Sequence, residues 1–148
     1  MKMIRTFACL SLLAASAGAY AAECKLEITG TDGMQYDKKE LVIPADCTEV
    51  EVTLKHSGKL PANAMGHNVV VSKSADMSAI VGDGMGAGLA SDYVKKDDAR
   101  VIAHTKVVGG GQSTSVKFPT SKLKKGEAYS FFCTFPGHSS MMKGTLKF

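Results

Sequence analysis

The sequence predicts an all-β domain, a sandwich or small barrel, with one short helical flap inserted between strands. Three observations support this. Short stretches either alternate apolar with polar residues or run continuously apolar. Turn residues separate them, as in Thr31-Asp-Gly33, Ser57-Gly58, Gly109-Gly-Gly111 and Lys125-Gly126. One region, from Ser74 to about Arg100, lacks both patterns. Many short strands with such turns argue two packed sheets rather than a helical bundle.

The chain opens on a basic start at Lys2 and Arg5, an apolar run from Phe7 to Ala17, and the small-x-small sequence Ala19-Tyr-Ala21. This is the pattern of a secretory signal peptide over 1–21, cleaved after Ala21, with Ala17-Gly-Ala19 as a second cleavage site. The apolar run is well short of the roughly 20 residues that a membrane span needs. Residues 22–148 then form one domain, long enough to bury a core.

Within that domain Lys25–Thr29, Glu49–Lys55 and Thr114–Phe118 alternate with period two and read as half-buried strands. Asn68–Ser72 and Ala128–Cys133 are more continuously apolar, as strands nearer the middle of a sheet are. Gly144–Phe148 makes a terminal strand. In the exceptional region, Ser74 is placed to cap a short helix over Ala75–Ile80. The glycine-rich run Gly82-Asp-Gly-Met-Gly-Ala-Gly88 reads as a flexible connector. It does not fit G-x-G-x-x-G, and no Gly-Lys-Ser/Thr follows, so nucleotide binding is set aside.

Charge is close to balanced. Without Lys2 and Arg5, the 18 Lys and Arg residues fall to 16 against 14 Asp and Glu, and the Lys pairs are scattered. That argues against a nucleic-acid partner. The cysteines say more. Cys9 leaves with the leader, and Cys24, Cys47 and Cys133 enter an oxidising compartment. Three is odd, so one thiol has another use. Cys24 and Cys47 each neighbour a strand and can pair, although counting does not exclude either of them pairing with Cys133.

The chemistry is concentrated in Cys133-Thr-Phe-Pro-Gly-His-Ser-Ser-Met-Met142. Cys133 ends a strand, Pro136-Gly137 turns the chain so that His138 swings back, and Met141 and Met142 precede the next strand. A single loop thus presents thiol, imidazole and thioether, but it needs a ligand from elsewhere. His67 is the best distant partner, because Gly66 before it lets a backbone carbonyl approach closely. His56 reads as a structural histidine and His104 as a surface one. One thiolate, two imidazoles and a weak thioether make the His₂Cys-plus-Met set of a blue-copper site, suited to passing one electron. A Cys–His hydrolase, the enzymatic rival, explains neither Met142 nor Met65-Gly-His67. A copper-handling protein without redox function is the other alternative, expected to have several open Met- and His-rich sites rather than one closed mixed site.

Ala22-Glu-Cys24, Met65-Gly-His-Asn68 and Cys133-Thr-Phe-Pro-Gly-His-x-x-x-Met142-Lys-Gly-Thr resemble the azurins, a family of bacterial cupredoxins, over essentially all of 22–148. The resemblance implies an eight-stranded Greek-key β-sandwich with a helical flap. It implies one type 1 copper, with His67, Cys133 and His138 in the plane and Met142 and the Gly66 carbonyl on the axis. That selects Met142 over Met141. It also implies a Cys24–Cys47 disulfide, and gives Asn68 and the Phe135 amide the role of ordering the ligand loop and tuning the thiolate. The chain has no Trp, and Val69 stands where some azurins bury an indole. Leu60, Ala64, Met65, Met85, Phe135 and Pro136, with Met34 at the rim, match the apolar patch through which the family docks redox partners around the exposed edge of its C-terminal histidine. The implied role is a monomeric, non-enzymatic electron carrier of the periplasm, exchanging with c-type cytochromes or copper reductases.

Overall fold

The computed structural model describes residues 24–148, so the expected leader over 1–21 lies outside the described residues. The alternating segments become strands because one face of each is apolar. In Lys25–Thr31 (β1), Ile28 is buried while Lys25 and Glu27 face solvent. After the short strands Gln35–Tyr36 (β2) and Glu40–Val42 (β3), Glu49–His56 (β4) buries Val50, Val52, Leu54 and His56 at every second position. Val70–Lys73 (β5), Val101–His104 (β6), Ser113–Pro119 (β7), Tyr129–Phe132 (β8) and Lys143–Lys147 (β9) complete the set.

Two sheets result, with orders β2-β1-β4-β7 and β3-β9-β8-β5-β6. β1 pairs parallel to β4, and β3 parallel to β9; the other pairings are antiparallel. The eight strands implied by the resemblance are nine among the described residues. The chain leaves one sheet at Tyr36 and enters the other at Glu40, which divides an edge into two short pieces. β5 and β8, the continuously apolar segments, lie side by side inside the five-stranded sheet, so both their faces are covered. The main core joins Ile28, Val50, Val52 and Leu54 of one sheet to Val71, Phe131 and Leu146 of the other.

The inserted region corrects two expectations. Ser74 does not cap a helix; its hydroxyl bonds to that of Ser130 at 2.7 Å, and Ser74–Asp76 is a 3₁₀ turn. The α-helix that follows runs Met77–Ala87, through most of the glycine run expected to be a connector. With the four-residue helix Ala62–Met65 as α1, this longer one is α2. Tertiary packing explains it. Ile80 joins a second apolar cluster with Val70, Val94 and Phe132, and buried Gly84 lies against the Tyr93 carbonyl, where a Cβ would come within 2.1 Å of the oxygen. Three glycines inside a helix cost about 2–3 kcal/mol in propensity relative to alanine, yet burial at this seam holds the segment helical. Arg100 braces the helix, its guanidinium donating to Asp83 of α2 and to Asp98 in the segment that follows.

Candidate metal centre

His67 follows α1 and precedes β5. It exchanges backbone hydrogen bonds with Val108, at 3.0 and 2.9 Å, which fixes the residue before its ring is considered. The ring is fully buried. Its Nε2–H donates to the Thr31 carbonyl at 2.8 Å, which sets the tautomer and leaves Nδ1 with a bare lone pair. Nδ1 is the one buried side-chain nitrogen or oxygen without a hydrogen-bond partner among the described residues. A buried unpaired nitrogen carries a real cost unless something absent from the protein atoms satisfies it.

The late loop supplies the facing donors. Phe135 to His138 form a turn closed by a 3.0 Å bond from the His138 amide to the Phe135 carbonyl. Gly137 takes φ +81°, ψ −13°, the position of a type II turn that favours glycine, with Pro136 before it. The Cys133 amide donates to the Met142 carbonyl, and the Met142 amide to the His138 carbonyl, at 2.9 and 2.8 Å. Cys133, His138 and Met142 are therefore laced together through their main chains.

The structure brings His67, Cys133 and His138 together, all buried, with one ligand atom of each within 4.8 Å of the others. Cys133 Sγ and His138 Nδ1 are 3.8 Å apart. Sulfur at about 2.3 Å and nitrogen at about 2.0–2.1 Å from one ion, 120° apart, would be separated by about 3.8 Å. An ion with zinc-like bond lengths would fit that spacing. Met142 is fully buried with its terminal methyl close to the His67 ring, since a Cβ built on Gly30 would touch both; Met141 is 44 % exposed. Gly66 is where a side chain has no room: its Cβ would lie 2.3 Å from the Ala62 carbonyl and 2.5 Å from Val107.

The electrostatics prepare neutral imidazoles and hold a thiol in reserve. Burial pushes His138 down to about 4, with His67 and His56 adding to the shift, and burial lowers His67 as well. Burial raises Cys133 to about 11, against the amides of Asn68 and Phe135 and the Tyr36 hydroxyl, which all favour the thiolate. A fully buried thiol at that pKa is no nucleophile at neutral pH, but a metal that replaces its proton meets surroundings that favour the thiolate. The Asn68 side chain ties the two ligand segments together. Its amide nitrogen donates to Thr134 Oγ1, and its oxygen accepts from the Thr134 amide, at 2.8 and 2.9 Å.

His56, expected as a structural histidine, is buried at the end of β4. It pairs with Asp32 at 3.2 Å, and its ring centroid lies 4.1 Å from that of His67. His104, expected at the surface, is half-buried at the end of β6. Val69 is fully buried in the core. Cys24 and Cys47 form a disulfide, leaving Cys133 as the free cysteine among the described residues. Of the expected patch, Leu60, Ala64 and Met85 are exposed, Met34, Met65 and Pro136 are half-buried, and Phe135 lies beneath the surface at 8 %. His138 itself is only 3 % exposed, because the Phe135 ring packs on it at 4.6 Å. Sequence reasoning missed Tyr36, the Thr31 carbonyl and Thr134; each acts through contacts across many residues that no local spacing encodes.

Comparison with known proteins agrees with this geometry. The family model for copper binding proteins of the plastocyanin/azurin family matches residues 22–148. The chain is 60 % identical over 126 residues to Azurin-1 of Alcaligenes xylosoxydans xylosoxydans, covering 85 % of this chain and 98 % of that protein. It is 55 % identical over 139 residues to the azurin of Bordetella pertussis, covering 93 % of each. It is 54 % identical over 145 residues to the azurin of Pseudomonas aeruginosa, covering 97 % of this chain and 98 % of that one. With two sheets closed around a buried His–Cys–His set and matches of this extent, the chain belongs to the plastocyanin/azurin family of copper-binding proteins.

Proposed function

We propose that the chain is a one-electron carrier of the periplasm, built around one type 1 copper. The observation that carries this is the His67 Nδ1 lone pair, unpaired and fully buried, facing a thiol and a second imidazole at ligand spacing. His67, Cys133 and His138 would hold the ion, with Met142 and the Gly66 carbonyl as weaker contacts. Copper in such a set supplies reversible Cu(I)/Cu(II) chemistry. The protein's part is to keep the donors still. Thr31 and Val108 hold His67, the laced loop holds the other two, and Asn68 joins the segments. Donors anchored this way have little room to rearrange when the ion's charge changes.

Electron exchange with other proteins then needs a route and a surface. His138 lies beneath the turn that carries Phe135 and Pro136, and exposed Leu60 and Met85 offer apolar side chains to a partner. A small apolar contact suits brief redox encounters, which bury less than about 1,200 Å². Partners of the c-type cytochrome or copper reductase class fit such a surface. The signal-like start at 1–21 supports export, and a single chain already supplies every ligand, which supports a monomer.

Titration of the metal-free protein with Cu(II) tests the reading. One equivalent should give an intense blue thiolate-to-copper band that ascorbate bleaches and re-oxidation restores. Cys133→Ser should abolish the band. A wild-type protein that binds copper without the band, or a variant that keeps it, would refute the assignment.

A further inference from the structure

Tyr36 is a buried polar residue outside the ligand set. It belongs to the two-residue strand β2, is 4 % exposed, and packs its ring against Phe131 with centroids 5.7 Å apart. Its hydroxyl donates to the main-chain carbonyl of Asn68, 32 residues away in sequence. Asn68 directly follows His67, and its side chain grips Thr134, the residue after Cys133, at 2.8 and 2.9 Å, while its amide favours the Cys133 thiolate.

The peptide unit joining Asn68 to Val69 is therefore clamped at both ends. Tyr36 holds its oxygen, and Thr105 Oγ1 accepts from its nitrogen at 2.9 Å. The Asn68 side chain is fixed separately, by Thr134 and by the Asp92 carbonyl. A phenol serving only to fill the core needs no hydroxyl there. Phenylalanine has the same shape without the cost of burying an oxygen that must find a partner.

We propose that Tyr36 is a positioning residue for the copper centre, its hydroxyl holding Asn68, and through Asn68 the Cys133–Thr134 segment, so that the hydrogen bonding around the Cys133 sulfur is fixed. Hydrogen bonds to a ligating sulfur are a recognised lever on the potential of such a site. They withdraw electron density from the thiolate, which destabilises Cu(II) relative to Cu(I). The inference rests on the copper reading above, and it says which residue outside the ligand set adjusts that centre.

The test compares three copper-loaded proteins: wild type, Tyr36→Phe and Tyr129→Phe. Tyr129 is also buried, and its hydroxyl accepts from the Lys124 amide at 2.8 Å, so it controls for loss of a buried phenol oxygen. In Tyr36→Phe the potential should fall by an amount equivalent to a severalfold, at most tenfold, change in the Cu(II)/Cu(I) ratio, and the thiolate-to-copper band should move. A tenfold change is about 59 mV for one electron. Tyr129→Phe should lose stability with potential and band unmoved. If Tyr36→Phe lowers only the unfolding midpoint, or if both variants shift the potential alike, the proposal is wrong. Site-specific 3,5-difluorotyrosine at position 36 keeps the ring and makes the hydroxyl a stronger donor. It should raise the potential, and an unchanged or lowered value overturns the proposal even where the phenylalanine variant does not fold. Failure of wild type to turn blue would instead refute the copper reading itself.

Discussion

The two nitrogens of His67 have different surroundings. Nε2 donates to Thr31, and Nδ1 has nothing. Cys133 differs again, as a protonated thiol whose pKa burial lifts to about 11. Because His138 is held near 4 and His67 is also lowered, both imidazoles are already neutral at pH 7. The sulfur alone must lose a proton to bind metal. Cu(II) uptake at pH 7 should therefore release one proton per ion, read by calorimetry in buffers of different ionisation enthalpy. Release near zero would mean that the sulfur does not ligate as thiolate; release near two would mean that a histidine was charged beforehand. The ligand types and the 133–142 loop were legible in the sequence because they sit within ten residues. The hydrogen bonds that aim them were not, since Tyr36, Thr31 and Thr105 reach the site only after both sheets have formed.

At the scale of elements, helix α2 shows where local reading fails. Glycine spacing points to a loop, but the apolar seam at Ile80 and the close fit of Gly84 against Tyr93 select a helix. The two effects separate by substitution. Gly82 is exposed with open space where a Cβ would stand, so Gly82→Ala should stabilise the protein by about 0.5–1 kcal/mol. Gly84→Ala gains the same propensity but drives a methyl to 2.1 Å from the Tyr93 oxygen. Overpacking of that kind costs about 1–3 kcal/mol, so the net effect should be destabilising. Denaturant unfolding reads both, and equal effects would contradict the packed-seam account. Strands β2, β3 and β6 escaped sequence reading for a different reason. At two to four residues they are too short to show a period, and pairing with longer neighbours defines them. The longer strands β1, β4 and β7 were legible from their alternation.

Across the whole molecule, stability and copper chemistry sit at opposite ends of β1. Cys24 precedes its first residue, while Gly30 and Thr31 at its other end touch His67. At about 3.3 Å per residue, that is a separation of the order of 20 Å. Replacing Cys24 and Cys47 by alanine should lower stability by about 3 kcal/mol, as expected for opening a loop of this size, while the copper spectrum stays unchanged. A shifted band would show that the sheet transmits strain further than this account allows. The central claim is that the folded sandwich, not the ion, dictates where the donors stand. X-ray absorption at the copper edge in both oxidation states tests it most directly. The account expects the same two nitrogens and one sulfur around Cu(I) as around Cu(II), with distances nearly unchanged; loss of a histidine or of the sulfur on reduction would contradict it.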